Sequence, residues 1–410
     1  MKCAPHVAFG ILACLAAFAS PITTARAGTT TVIYSFEGGA DGEYADTDLV
    51  RDASGNLFGT TVQGGDLGSG TVWELHPNGD GTWTHTVLYS FTGGVDGGEP
   101  YKGVTLDASG NLYGTAVTGG GGGCEGDCGV AYRLTNGGGT WTQSVIHTFT
   151  GGDDGSGPGA GLTIDDSGNI YGMAPTGGKF FAGTIFEMQP AKGGTYKFKV
   201  IHAFTGGKDG IGGSAGRLVP RDGELFGAAT AGGVNGAGTI YQLSPTGRGK
   251  WKFKTLYAFR GSPDAGFPYG GLAFDALGNI FGTTYYDGAN DVGAVYELSQ
   301  KNNGMWKERV LYSFDGGSDG NGSIANVNFD TDGNMYGTTS EGGSDGDGVI
   351  FRLAPGRKNS WTESIAHNFA GPPDGAYAYN GMVGDGANNF FGATVHGGAD
   401  DEGAIYQFTP

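Results

Sequence analysis

Charge is scarce in this chain. Only 16% of its 410 residues are charged, and bases are the scarcer sign, with 23 Lys and Arg against 41 Asp and Glu. A chain this acidic is a poor partner for nucleic acid or an anionic lipid surface. Long apolar runs are missing too. The longest, Val7 to Ala19, is too short to span a bilayer, so no membrane insertion is expected. After it no segment of useful length has helical periodicity. Motifs of chemistry are also absent. There is no Ser-His-Asp set, no H-E-x-x-H and no phosphate loop. Cysteines number four. What is abundant is glycine, at 86 residues, without the Gly-X-Y period of collagen and with too many aromatics for a disordered tract.

Residues 1–27 read as a secretory signal, with Lys2 as the positive start, the apolar run, and Ala25-Arg-Ala27 as a cleavage site before Gly28. A lipoprotein reading of Ile11-Leu-Ala-Cys14 is the alternative, with a very short apolar region. Cleavage removes Lys2 and Arg26, so the mature net charge becomes 21 − 41 = −20. It also removes Cys3 and Cys14, leaving Cys124 and Cys128. Export favours a disulfide staple between these two; a metal site would need two further ligands that are not evident nearby. The expected location is secreted, periplasmic or at the cell surface, with no anchor following the last repeat.

The rest, residues 28–410, is one motif repeated seven times. Its Phe recurs as Phe36, Phe91, Phe149, Phe204, Phe259, Phe314 and Phe369, in steps of 55, 58, 55, 55, 55 and 55. Five residues on comes an Asp each time: Asp41, Asp96, Asp154, Asp209, Asp264, Asp319 and Asp374. Each repeat carries four strand signals, a to d. In the second these are Gly103–Leu106, Asn111–Thr115, Val130–Leu134 and Trp141–Phe149. Asp107-Ala-Ser-Gly-Asn111 is a tight hairpin between a and b. Strand c is apolar on both faces, as in Val72-Trp73 and Ile240-Tyr241, so each sheet is sandwiched between neighbours. Four-stranded sheets repeated radially make a β-propeller. The chain opens on a lone d strand, Thr30 to Phe36, and closes on strands a, b and c. The expected fold is an all-β, seven-bladed β-propeller of four-stranded antiparallel blades, closed by an N-terminal strand completing the last blade. An open stack of sheets is the alternative, and it would leave Ala404–Phe408 as an unpaired apolar edge.

The run Tyr-Ser-Phe-x-Gly-Gly-x-Asp-Gly, Asp-x-x-Gly-Asn-Leu-Tyr-Gly-Thr-Thr and Gly-Thr-Val-x-x-Leu resembles the GloVer repeat of exported bacterial choice-of-anchor proteins, over nearly all of residues 30–408. The resemblance implies a surface or secreted location and supplies no catalytic residues.

The seven Asp residues lie between strands d and a, and closure is expected to bring them together around one face near the axis. As a ring they could hold calcium, the one cofactor the sequence suggests; as turn caps each serves its own loop. Presence in every blade favours the cap, because a site for one ligand differs between blades. His147, His202 and His367 alternate with Tyr at one repeat position and read as packing residues with a polar tip. The candidate ligand-binding residues are therefore the aromatics that differ: Tyr44, Tyr101, Phe267, Tyr269, Tyr377 and Tyr379, with Asp46 and Glu99 beside them. The connections from b to c also vary, as in Lys179-Phe-Phe181, Tyr285-Tyr-Asp287 and Asp400-Asp-Glu402. Tyr rings beside acids suit a sugar. The expectation is a monomeric binding or scaffold protein for an extracellular glycan or protein. A propeller enzyme acting on polysaccharide or a lactone and a purely structural envelope protein are the alternatives.

Overall fold

A computed structural model describes residues 28–121, 123–124, 128–213 and 216–410. The expected signal at 1–27 lies outside the described residues.

Seven four-stranded antiparallel sheets follow one another, each built in the order a, b, c, d. In blade 2 the strands are Val104–Leu106, Leu112–Ala116, Val130–Asn136 and Trp141–Thr148. The hairpin joining a to b forms because the Asp107 carboxylate accepts the N–H of Ser109 at 2.8 Å and of Asn111 at 2.9 Å. Blade 4 makes this turn differently. Arg221 pairs directly with Glu224 across Asp222 and Gly223, whose φ of 53° and 77° form a two-residue hairpin turn.

Strand d pairs with c through a bulge at the same place in every blade, between Ile185 and Phe186 in blade 3 for instance. The residue skipped there is Ile201, which turns inward against a core cluster. The bulge explains how an outer strand accommodates two consecutive apolar residues.

The core is not central. It is divided into clusters that lie between blades. One joins Val72, Leu88 and Phe91 of blade 1 to Leu112 and Tyr132 of blade 2. Another joins Phe36, Phe391 and Ile405 of blade 7 to Leu57 and Trp73 of blade 1. Val72 and Trp73, adjacent on one strand c, thus serve opposite seams, as apolar character on both faces requires. The N-terminal strand Thr29–Ser35 pairs antiparallel with Ala404–Thr409, from Thr29 opposite Thr409 to Ser35 opposite Ala404. It supplies the fourth strand of the seventh sheet. Among the described residues no helix is long and apolar enough to cross a membrane.

Candidate functional site

The connections from d to a and from b to c open on one face and pair with each other, as at Glu43 with Gln63 and Asn321 with Glu341. Behind them lies an axial cavity of about 860 Å³ lined from all seven blades.

The seven aspartates do not gather there, which corrects the expected placement near the axis. The carboxylates are held by the turns that carry them, and Asp41 also by His85 of blade 1, whose Nδ1 lies 3.0 Å away. Asp41 accepts the Tyr34 hydroxyl at 2.6 Å and the Glu37 N–H at 2.8 Å. Asp96 does the same with Tyr89 and Thr92, at 2.8 and 2.9 Å, and Asp319 with Tyr312 and Asp315, at 2.7 and 2.9 Å. In Asp154, Asp209 and Asp374 the partner is the imidazole of His147, His202 or His367, at 3.2, 3.1 and 2.9 Å. Tyr and His alternate at this position because each puts a polar hydrogen on that Asp. Blade 5 departs: Tyr257 donates instead to Glu308 at 2.8 Å, and Asp264 lies 3.8 Å from Arg260. Among the described residues no three His, Cys, Asp or Glu side chains are grouped to hold a metal.

The six aromatic candidates divide in two. Tyr101, Tyr269 and Tyr379 line the cavity, joined by Tyr285 and Tyr286 from the b-to-c connection of blade 5. The Tyr269 and Tyr285 rings stand 5.8 Å apart, edge to face. Tyr285 also leans over Gly322 of blade 6, in space that a side chain there would occupy. Burial first, then neighbouring Glu99 and Asp46, pushes the Tyr101 hydroxyl above its ordinary pKa. Burial raises Tyr379 likewise, helped by Tyr285 and Glu341.

Tyr44, Phe267 and Tyr377 stand outside that lining. Tyr44 and Tyr377 flank His396, with ring centroids 5.1 and 5.6 Å from it, and Phe267 meets Tyr286 edge-on at 5.8 Å. Their φ values are 59°, 55° and 59°, a left-handed backbone rare for aromatic residues. The backbone of this position stitches adjacent blades. The N–H of Tyr44 donates to Glu402, of Phe267 to Ala237 and of Tyr377 to Asp347, at 2.9, 2.8 and 3.0 Å. Cys124 and Cys128 form a disulfide, with Cα atoms 5.6 Å apart, in the b-to-c connection of blade 2.

The polar part of the cavity escaped the sequence reading, apart from Asp46. Lys102 Nζ donates to Asp46 Oδ1 at 2.9 Å and to Asn380 Oδ1 at 2.7 Å; Asn380 Nδ2 donates to Asp46 Oδ1 at 2.7 Å. Three blades meet in this triad. Lys102 adopts φ 59°, and its N–H donates to the Asp46 carbonyl at 3.1 Å, so the turn that aims its side chain is locked to the same neighbour. At the position before each inner strand stand Asp48, Arg217 and Asn326, while Gly103, Gly161, Gly271 and Gly381 fill the other four blades. A Cβ on Gly381 would collide with the Asn326 side chain, so the glycines make room for the polar residues. Twelve residues after the repeat Phe the sequence shows Asp48 and Asn326 among glycines, but it shows Gly216 in blade 4; Arg217 reaches the position only through a one-residue shift of the first strand pairing.

A family model described as the Gloeobacter/Verrucomicrobia repeat matches residues 81–272, 121–328 and 215–410, which together run from 81 to the last residue. The chain belongs to this family. This Gloeobacter/Verrucomicrobia repeat protein is similar in fold to solved chains of distant sequence. A Lactobacillus plantarum protein is 15% identical with a TM-score of 0.51, over 87% of this chain and 99% of that one. The extracellular domain of a hybrid two component system from B. thetaiotaomicron is 8% identical with a TM-score of 0.55. That match covers 92% of this repeat protein and 39% of the other chain. Likeness at these identities concerns the fold alone. No curated protein matches the chain.

Proposed function

We propose that this Gloeobacter/Verrucomicrobia repeat protein is an exported, monomeric binding module that takes an extracellular glycan at its axial cavity. The observation carrying this reading is that the cavity is asymmetric: the tyrosines of blades 2, 5 and 7 face it, while blade 3 contributes Gly157 and Gly159 and blade 4 contributes Gly216, Arg217 and Val219. Aromatic rings stack on the apolar faces of a sugar, and carboxylate and amide groups such as Asp46 and Asn380 bond its hydroxyls. A volume of about 860 Å³ falls within the span of small-ligand pockets, roughly 300–1,000 Å³.

Binding is favoured over glycoside hydrolysis by the pairing of the acids. Hydrolysis needs one protonated carboxyl and one free carboxylate. Here Asp46 is bonded to Lys102 and Asp48 faces Arg217. The carboxyls pushed furthest up, Glu308 and Glu363, lie on outer strands away from the cavity.

The test is titration of the purified protein against a glycan panel. Binding should weaken about fivefold or more in Tyr101→Ala and Tyr379→Ala, the loss of one stacked ring being worth roughly 1 kcal/mol. Tyr44→Ala should change affinity less, since Tyr44 stands outside the lining. Absence of binding to every glycan would leave a protein partner or a scaffold role.

A further inference from the structure

Two cations line the cavity among the described residues, and they differ in how far they are engaged. Lys102 is held by Asp46 and Asn380 at hydrogen-bond distance. Arg217 is not. Its Nη2 lies 3.6 Å from Asp48 Oδ2, three blades away, which is too long for a hydrogen bond. That Nη2 is buried and has no hydrogen-bond partner among the described residues. A guanidinium keeps its charge at any pH a protein survives, so burial cannot be relieved by losing a proton. A buried donor left unmet is costly, more so when charged.

Nη2 itself is closed off, but 27% of the Arg217 side chain stays exposed, and the residue lines the cavity. A Cβ on Gly161 would come within 3.1 to 3.3 Å of Nε, Cζ and Nη2, so the guanidinium packs against the glycine of blade 3 in space that a side chain there would contest. By strand pairing Arg217 is equivalent to Gly161, and no other blade puts a cation there, so repetition does not require it. The exposed part of the guanidinium can donate a charge-assisted hydrogen bond to a carboxylate, which the long approach of Asp48 does not provide. Tyr269, Tyr285 and Tyr379 share the same cavity and offer ring faces to the sugar that would carry such a group.

We propose that the axial cavity selects a glycan bearing carboxylates, a uronate, with Arg217 as the residue that reads the acid. The proposal rests on the glycan reading above and narrows it to one chemical class. Attraction at long range does not account for it, because the mature chain carries −20 and repels acids until they reach the cavity.

The experiment is calorimetric titration of the purified protein with oligomers of galacturonate, glucuronate and mannuronate, each beside its methyl ester. At least one acid should bind about tenfold or more tighter than its ester, the gain expected of a hydrogen-bonded charge pair. Arg217→Gln should erase that preference with the melting temperature little changed. Asp48→Asn, which removes the internal competitor, should raise affinity for the acid; it also serves if the Arg217 variant does not fold. Equal binding of acid and ester in the unmodified protein, or an unchanged ratio in either variant, would overturn the proposal and leave Arg217 as a counter-charge to Asp48. Binding of neutral glycans only would overturn it while the glycan reading stands. No binding of any glycan would overturn both.

Discussion

At Gly282 the Tyr296 ring occupies the space where a methyl would sit, and the same holds at Gly59 beneath Trp73 and at Gly172 beneath Phe186. The ladder makes this unavoidable, since Gly282 pairs with Tyr296 directly across the strands. Gly282→Ala must push a fully buried ring aside, and overpacking of this kind costs about 1–3 kcal/mol. A urea midpoint lowered with an unchanged slope would be the expected result. Lys102 tests the opposite kind of residue, one dictated by no repeat. Lys102→Ala removes the Lys102 donor from Asn380 Oδ1 and one of two donors from Asp46 Oδ1, and should cost about 1.5–3 kcal/mol, the range for a hydrogen bond to a charged group. In a double-mutant cycle with Asp46→Asn, a coupling near zero would mean that the triad contributes nothing.

Among the elements, the N-terminal strand has the longest reach, because its partner Ala404–Thr409 lies at the other end of the chain. Phe36, which follows it, is fully buried in the seam between blades 7 and 1. Phe36→Ala should cost about 3–5 kcal/mol, as a large core truncation does. Amide exchange distinguishes this site from its repeats: protection should fall first in Thr29–Ser35 and Ala404–Thr409. The matching Phe204→Ala, within a blade whose four strands are contiguous in sequence, should spare those two strands. Uniform loss of protection in both variants would mean that the ring opens with no preference for its junction. Turn chemistry and strand pattern were readable at this scale, as Asp107-Ala-Ser-Gly-Asn111 illustrates. The bulge in strand d was not, because it depends on how the outer strand bends around a neighbouring blade.

For the whole molecule, pH acts through opposing groups. Burial pushes Glu308 and Glu363 up to about 7. Their folded values exceed the unfolded ones, so the stability they contribute is full below about 4.5 and is lost as pH rises through 7. His147 and His202 work the other way: burial holds each below its ordinary value, outweighing Asp154 and Asp209, and favours the fold as pH rises. In Asp41, burial opposes ionisation but the bonds from His85, Tyr34 and Glu37 prevail and lower its pKa. That contribution is lost as pH falls through the folded value. Thermal melts from pH 8 downward should therefore show the double variant Glu308→Gln, Glu363→Gln gaining on the unmodified protein at pH 8 and losing that advantage by pH 5. A difference independent of pH would rule out titration of these two carboxyls.

Seven copies of Phe, Asp and Gly in register determined the propeller from the sequence alone, because strand alternation, hairpin turns and sheet packing are local and are stated seven times over. Local partners of the repeat Asp were legible as well, lying four and seven residues away in most repeats. Only the tertiary structure decided the axial site. Asp46, Lys102 and Asn380 are far apart in the chain and meet because the ring closes. Which aromatic faces the cavity depended on a left-handed turn that directs Tyr101, Tyr269 and Tyr379 inward and leaves Tyr44, Phe267 and Tyr377 at the rim. A repeat specifies what every blade must do, whereas a ligand site is made of the exceptions, and their meeting is a property of the closed circle.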